Sequence, residues 1–185
     1  MMLPIYTYGQ PVLKKIAKDI DKNYKGLNEI IENMFETMDK SEGVGLAAPQ
    51  IGLSIRLIVI DATPMAEEEK SLENFKKVLI NAQIIEEDGT EWYYKEGCLS
   101  VPGIREEIKR KPNIRIQYYD ENFKFYDEKY DGIKARIIQH EHDHLEGKLL
   151  IDRLNPLKKR LLKSKLNNII KGNVEVKYKV KFAKK

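Results

Sequence analysis

The sequence predicts an α+β fold with a helix and a strand at its C-terminal end, and three observations predict it. Segments of helical periodicity are mixed with strand-like segments, but not in the regular strand–helix–strand order of a parallel sheet. Asp120-Glu121-Asn122 is a short polar turn directly joining two strand-like segments, as antiparallel strands are joined. No internal repeat or low-complexity stretch divides the chain, and 185 residues suffice for one domain with a substantial core, so 1–185 reads as one domain.

The elements are justified in chain order. Leu27, Ile30, Ile31, Met34, Phe35 and Met38 recur at helical spacing and predict an amphipathic helix over 27–40. Ser41-Glu42-Gly43-Val44-Gly45 breaks that periodicity. Ile55–Ile60 and Val78–Ile85 are apolar runs of strand length, and the polar stretch 62–76 between them reads as a surface excursion. Ile104–Lys109, Ile114–Tyr119 and Phe123–Tyr130 read as further strands. Asp131 is placed to cap the next helix and Gly147 to end it. Asn155-Pro156 and Gly172 bracket a helix over 156–171. From Val174 to Phe182 apolar residues alternate with Glu175, Lys177, Lys179 and Lys181, the pattern of a half-buried strand at a sheet edge.

Composition excludes several classes. No apolar run approaches the roughly 20 residues of a membrane span. The first residues show no basic region followed by an apolar stretch, and the single cysteine cannot form an internal disulfide, so a reducing, cytoplasmic setting is expected. The net charge of +4 is unevenly spread. Residues 151–185 carry 12 lysines and arginines against Asp152 and Glu175, a net +10, which leaves −6 on the rest. Such a basic extension suits either a solvated terminus or a polyanionic neighbour such as RNA.

All three histidines fall in His140-Glu141-His142-Asp143-His144. His140 and His144 share one helix face with Ile133 and Ile137, and Glu141 lies about a quarter turn away. Two imidazoles one turn apart can hold a metal ion, and the neighbouring carboxylate can carry the protons of a water activated there. His142 points the other way and reads as a packed histidine. Two ligands are too few for a tight site. The only cysteine, Cys98 in Glu96-Gly97-Cys98-Leu99-Ser100, is the best third candidate; spacing alone leaves an acidic ligand such as Glu146, in a zinc peptidase, open as well.

Three segments together carry a resemblance. Gly43-Val44-Gly45-Leu46-Ala47-Ala48-Pro49-Gln50, Glu96-Gly97-Cys98-Leu99-Ser100 and Gln139-His140-Glu141-His142-Asp143-His144 resemble, in order, the three motifs of the peptide deformylases. The resemblance spans roughly residues 4–152. It implies mixed or antiparallel sheets around a central metal-binding helix, and removal of the formyl group from the N-terminal formylmethionine of nascent polypeptides, with release of formate. It implies Cys98, His140 and His144 as ligands of one divalent ion per chain, Fe2+ first, with Zn2+, Ni2+ or Co2+ able to substitute. It implies Glu141 as the proton carrier and Gln50 and the Leu99 N–H as donors to the oxyanion. It places the formyl end of the substrate against the Gly45 backbone and Arg105 near the substrate backbone. Val44, Tyr94, Ile133 and Ile137 are then the candidates for the methionine pocket. The expected partners are N-formylmethionyl peptides and, through the basic tail, the ribosome; no membrane is expected.

Overall fold

The computed structural model describes residues 1–183; Lys184 and Lys185, counted in the basic tail, lie outside the described residues. In chain order the elements are β1 (Ile5–Tyr6), α1 (Leu27–Lys40), β2 (Gly45–Ala47), β3 (Leu57–Asp61), β4 (Lys76–Asp88), β5 (Trp92–Gly97), β6 (Arg105–Arg110), β7 (Asn113–Tyr119), β8 (Phe125–Tyr130), α2 (Gly132–Leu145), α3 (Pro156–Lys171) and β9 (Val180–Lys181), with short 3-10 turns between them. This is an α+β architecture.

The main sheet is antiparallel with strand order β2-β3-β4-β7-β8. It is covered on both faces. Ile58, Ile60, Leu79 and Ile116 pack with Ala135 and Ile138 of α2, whereas Leu57, Val59, Val78 and Ile80 pack with Ile31, Met34 and Met38 of α1. Burial on both faces is why β3 is an unbroken apolar run rather than an alternating one. A second, two-stranded sheet pairs β5 with β6, from Trp92 opposite Arg110 to Gly97 opposite Arg105. A third apolar cluster joins Ile104 and Ile108 to Leu162, Leu166 and Ile169 of α3.

Helix α3 begins and ends as its sequence signals require. The Asn155 side chain accepts a hydrogen bond from Lys158 N–H at 2.8 Å, and Gly172 takes φ +73° after the last turn of α3. Asp131 precedes α2 but makes no side-chain cap, contrary to the expectation from its residue type.

Other expectations are corrected. The stretch 62–76 is not simply a surface excursion: Leu72 and Phe75 are buried in the α2-side core, which anchors the loop. Between Val174 and Phe182 the in–out alternation is present, but only Val180 and Lys181 form a ladder, and it is parallel, to Ile5 and Tyr6. A parallel pair with so short a partner cannot extend further, because β1 itself has two residues. Three strands, β1, β2 and β5, escape the sequence pattern: β1 and β2 are too short to show a period, and β5 is rich in polar and aromatic residues on both faces.

Candidate metal centre and active site

Cys98 follows β5 directly, and α2 carries both histidines one turn apart. Cys98 Sγ, and one ring nitrogen each from His140 and His144, lie within 4.8 Å of one another. The sulfur is 3.5 Å from His144 Nε2, and the two rings meet edge to face with centroids 5.2 Å apart. One thiol and two imidazoles at such separations match the donor set and spacing of a divalent transition-metal site. The acidic alternative is turned elsewhere: Glu146 Oε1 is 2.7 Å from Arg56 Nη1. His142 packs against the same arginine, with 3.2 Å between His142 Nε2 and Arg56 Nη2.

The donors are held from behind. Glu96 projects from β5, two residues before Cys98, and its Oε2 sits 2.9 Å from His140 Nδ1. An Nδ1–H donated to that carboxylate leaves Nε2 as the free nitrogen, the arrangement that orients metal-binding imidazoles. Glu96 itself is gripped by Arg110 at 2.7 and 3.0 Å and by Arg136 at 2.7 Å. Arg110 also reaches Asp143 at 2.8 Å, and Asp143 accepts two bonds of 2.6 Å from Arg153. Burial resists a charge on Glu96, but its bonds with His140 and Arg110 hold the carboxyl well below the usual range. Burial likewise opposes charge on His140, yet its contacts with Cys98 and Glu96 raise its pKa well above the ordinary value. Burial pushes His144 down to about 3, and no protein group meets its Nδ1 among the described residues.

Glu141 is buried beside this centre. Burial pushes its carboxyl up to about 7, and its Oε2 has no protein partner among the described residues. A carboxyl poised near neutrality is suited to taking up and returning a proton. Gln50 is fixed by its own Oε1, which accepts from Ala47 N–H at 2.8 Å. That orients Nε2 toward Cys98 Sγ at 3.7 Å and Ser100 Oγ at 3.2 Å. Among the described residues, no protein acceptor takes the Leu99 N–H.

These groups open into a cavity of about 730 Å³. Gln50, Cys98, Leu99, His140 and Glu141 line it, and so do Val44, Gly45, Tyr94, Arg105, Ile133 and Ile137. His144 lies behind the lining, nearly inaccessible. Sequence reasoning missed the Glu96–Arg110–Arg136–Asp143–Arg153 network. Its one available signal was the alternation along β5 and β6, which puts Glu96 and Arg110 on the same inward face as Ile108.

The polypeptide deformylase family model matches residues 2–160. The chain belongs to the polypeptide deformylase family. It is 55% identical over 189 residues to the peptide deformylase of Christiangramia forsetii, covering 98% of this chain and 96% of that one. It is 42% identical over 182 residues to that of Salinibacter ruber, covering 96% and 93%. Among solved structures, the Thermus thermophilus peptide deformylase superposes with a TM-score of 0.80 at 38% identity, covering 91% of this chain and 97% of that chain. A Plasmodium falciparum peptide deformylase does so with 0.81 at 34% identity, covering 91% and 95%. The chain is accordingly an enzyme, a metal-dependent hydrolase that removes the formyl group from the N-terminal formylmethionine of nascent polypeptides and releases formate.

Proposed function

We propose that Cys98, His140 and His144 hold one divalent ion, Fe2+ in the cell, with Zn2+, Ni2+ or Co2+ able to replace it. The support for this is the convergence of one sulfur and two imidazoles within 4.8 Å, beside a buried carboxylate. Bound there, the ion supplies Lewis acidity and lowers the pKa of a water. Glu141 takes the proton of the attacking water and delivers it to the amine that leaves. As the formyl oxygen becomes anionic, Gln50 Nε2 and the Leu99 N–H donate to it. Each such donor typically contributes about 3 kcal/mol to lowering the barrier. Arg136 and Arg110 keep Glu96 in place, and Glu96 keeps His140 from turning.

The peptide lies extended along the Gly45 backbone with Arg105 nearby, in the manner of an added strand. Val44, Ile133, Ile137 and Tyr94 receive the methionine side chain in the cavity. The whole chain acts as one catalytic unit, in the cytoplasm, consistent with its lone free thiol. No helix among the described residues is long and apolar enough to cross a membrane. The basic extension holds the enzyme near the ribosome, its exposed α3 lysines supplying the charge. Co-sedimentation with ribosomes is expected to fall as salt is raised; binding unchanged by salt, or by deleting 156–185, would remove this part.

The central test is formate release from formyl-Met-Ala-Ser by protein purified without oxygen, together with metal analysis. One ion per chain and formate release are expected. A metal-loaded protein that leaves the formyl group in place would refute the reading.

A further inference from the structure

The cavity has a contributor that none of the three motifs contains. Glu175, Val176, Lys177 and Tyr178 line it, although they lie some thirty residues beyond α2 in the sequence. The in–out alternation turns Val176 and Tyr178 toward the protein, leaving Glu175 and Lys177 exposed. Tyr178 does more than fill space: its hydroxyl donates to the Leu99 carbonyl at 2.8 Å.

The segment is firmly placed. Two residues on, β9 pairs with β1, with Ile5 N–H donating to Lys179 O at 2.9 Å and Thr7 N–H to Lys181 O at 3.2 Å. Gln10 Nε2 adds a bond of 2.7 Å to Phe182 O. The same N-terminal stretch also holds the Cys98–Ser100 turn, since Tyr8 N–H donates to Ser100 O at 2.8 Å. The turn that carries Leu99 is thus fixed from three sides: Gln50 on the Ser100 hydroxyl, Tyr8 on the Ser100 carbonyl, and Tyr178 on the Leu99 carbonyl. Of these, Tyr178 alone acts on Leu99 itself, whose N–H must stay directed at the reacting oxygen. Transition-state donors work because they are held in place before the charge develops.

We propose that Tyr178 is a positioning residue for the hydrolytic step, and that Glu175–Tyr178 walls the part of the channel taken by substrate residues beyond the formylmethionine. The inference rests on the deformylase reading above. The methionine pocket draws on Val44 of the loop before β2 and on Ile133 and Ile137 of α2, so the second and third residues of the peptide are left to meet the rest of the lining, which the C-terminal segment shares with Glu42, Pro102 and Arg105. An extended peptide advances about 3.4 Å per residue, and charged groups at Glu175 and Lys177 then discriminate among those next residues by sign.

Two variants test this on the full chain loaded with metal. Tyr178→Phe keeps the ring and removes the donor. It is expected to lower kcat for formyl-Met-Ala-Ser about fivefold, the scale of one neutral hydrogen bond. KM, metal content and the thermal midpoint should stay where they are. An unchanged kcat, or a loss that comes only with a lowered thermal midpoint, would overturn the positioning role. The exposed double swap Glu175→Lys with Lys177→Glu should change the kcat/KM ratio between formyl-Met-Ala-Lys and formyl-Met-Ala-Glu about threefold or more; an unchanged ratio would overturn the wall. Wild-type protein that releases no formate would bring down the deformylase reading itself, whereas active wild type with indifferent variants overturns this inference alone.

Discussion

Gly45 shows how one residue's identity is set by its neighbour. A Cβ built there would lie 2.5 Å from Glu141 Oε1 and 2.8 Å from Glu141 Cδ. The Glu141 carboxyl group, which already occupies the space, is one reason for this position to stay small; the peptide proposed to lie along its backbone would be a second. Gly45→Ala is therefore expected to displace Glu141 and cut kcat at least tenfold while metal content holds, measured by formate release and metal analysis on the same sample. Cys98→Ser separates the other role. With only two imidazoles left, metal per chain should fall steeply on anaerobic purification, while a peptidase site built on Glu146 would retain it. Full metal occupancy in Cys98→Ser would count against the sulfur ligand.

At the scale of elements, the β5–β6 hairpin and α2 meet through charge rather than through apolar packing alone. Arg110, buried, sits between the carboxylates of Glu96 and Asp143. Arg110→Met would leave both acids without it, and removing one partner of a buried ion pair costs about 3–5 kcal/mol. Urea denaturation should register a loss on that scale, and a loss under about 1 kcal/mol would mean that Arg136 and Arg153 suffice. A second polar cluster lies on the β7–β8 pair. Burial works against the Glu128 charge, but the Tyr118 hydroxyl at 2.6 Å and that of Tyr130 hold its carboxyl below the ordinary 4.5. A depressed carboxyl stabilises the folded state above the unfolded value and loses that effect as pH falls through the folded one. The stability penalty of Glu128→Gln should accordingly be largest near pH 7 and shrink toward pH 3, followed by urea midpoints. Legibility in the sequence differed among these elements for physical reasons. Helices α1 and α3 could be bounded to the residue, α1 from its periodicity and the break that follows Lys40, α3 because periodicity and both end signals agree. The ligand candidates were legible because few residue types bind metal. The ion-pair network was not, since Glu96 and Arg110 look like ordinary strand surface until a helix covers them. The C-terminal strand was overread because alternation reports which side faces inward, not whether a partner strand is there.

On the scale of the whole molecule, the five-stranded sheet lies between α1 and α2, with the small hairpin sheet beside α2. The histidines belong to the helix on the large sheet, while Cys98 closes a strand of the hairpin. An ion held by these three side chains would therefore add a further tie between the two, beside the Arg136–Glu96 and Arg110–Asp143 ion pairs. It would act as a removable cross-link, absent from the covalent chain. Stripping it with a chelator should raise amide hydrogen exchange in residues 92–100 well before exchange rises in β3 and β4. Uniform loosening of both sheets would show instead that the ion merely stabilises the fold as a whole. Metal load would then set not only activity but how tightly the hairpin sheet and the five-stranded sheet move together.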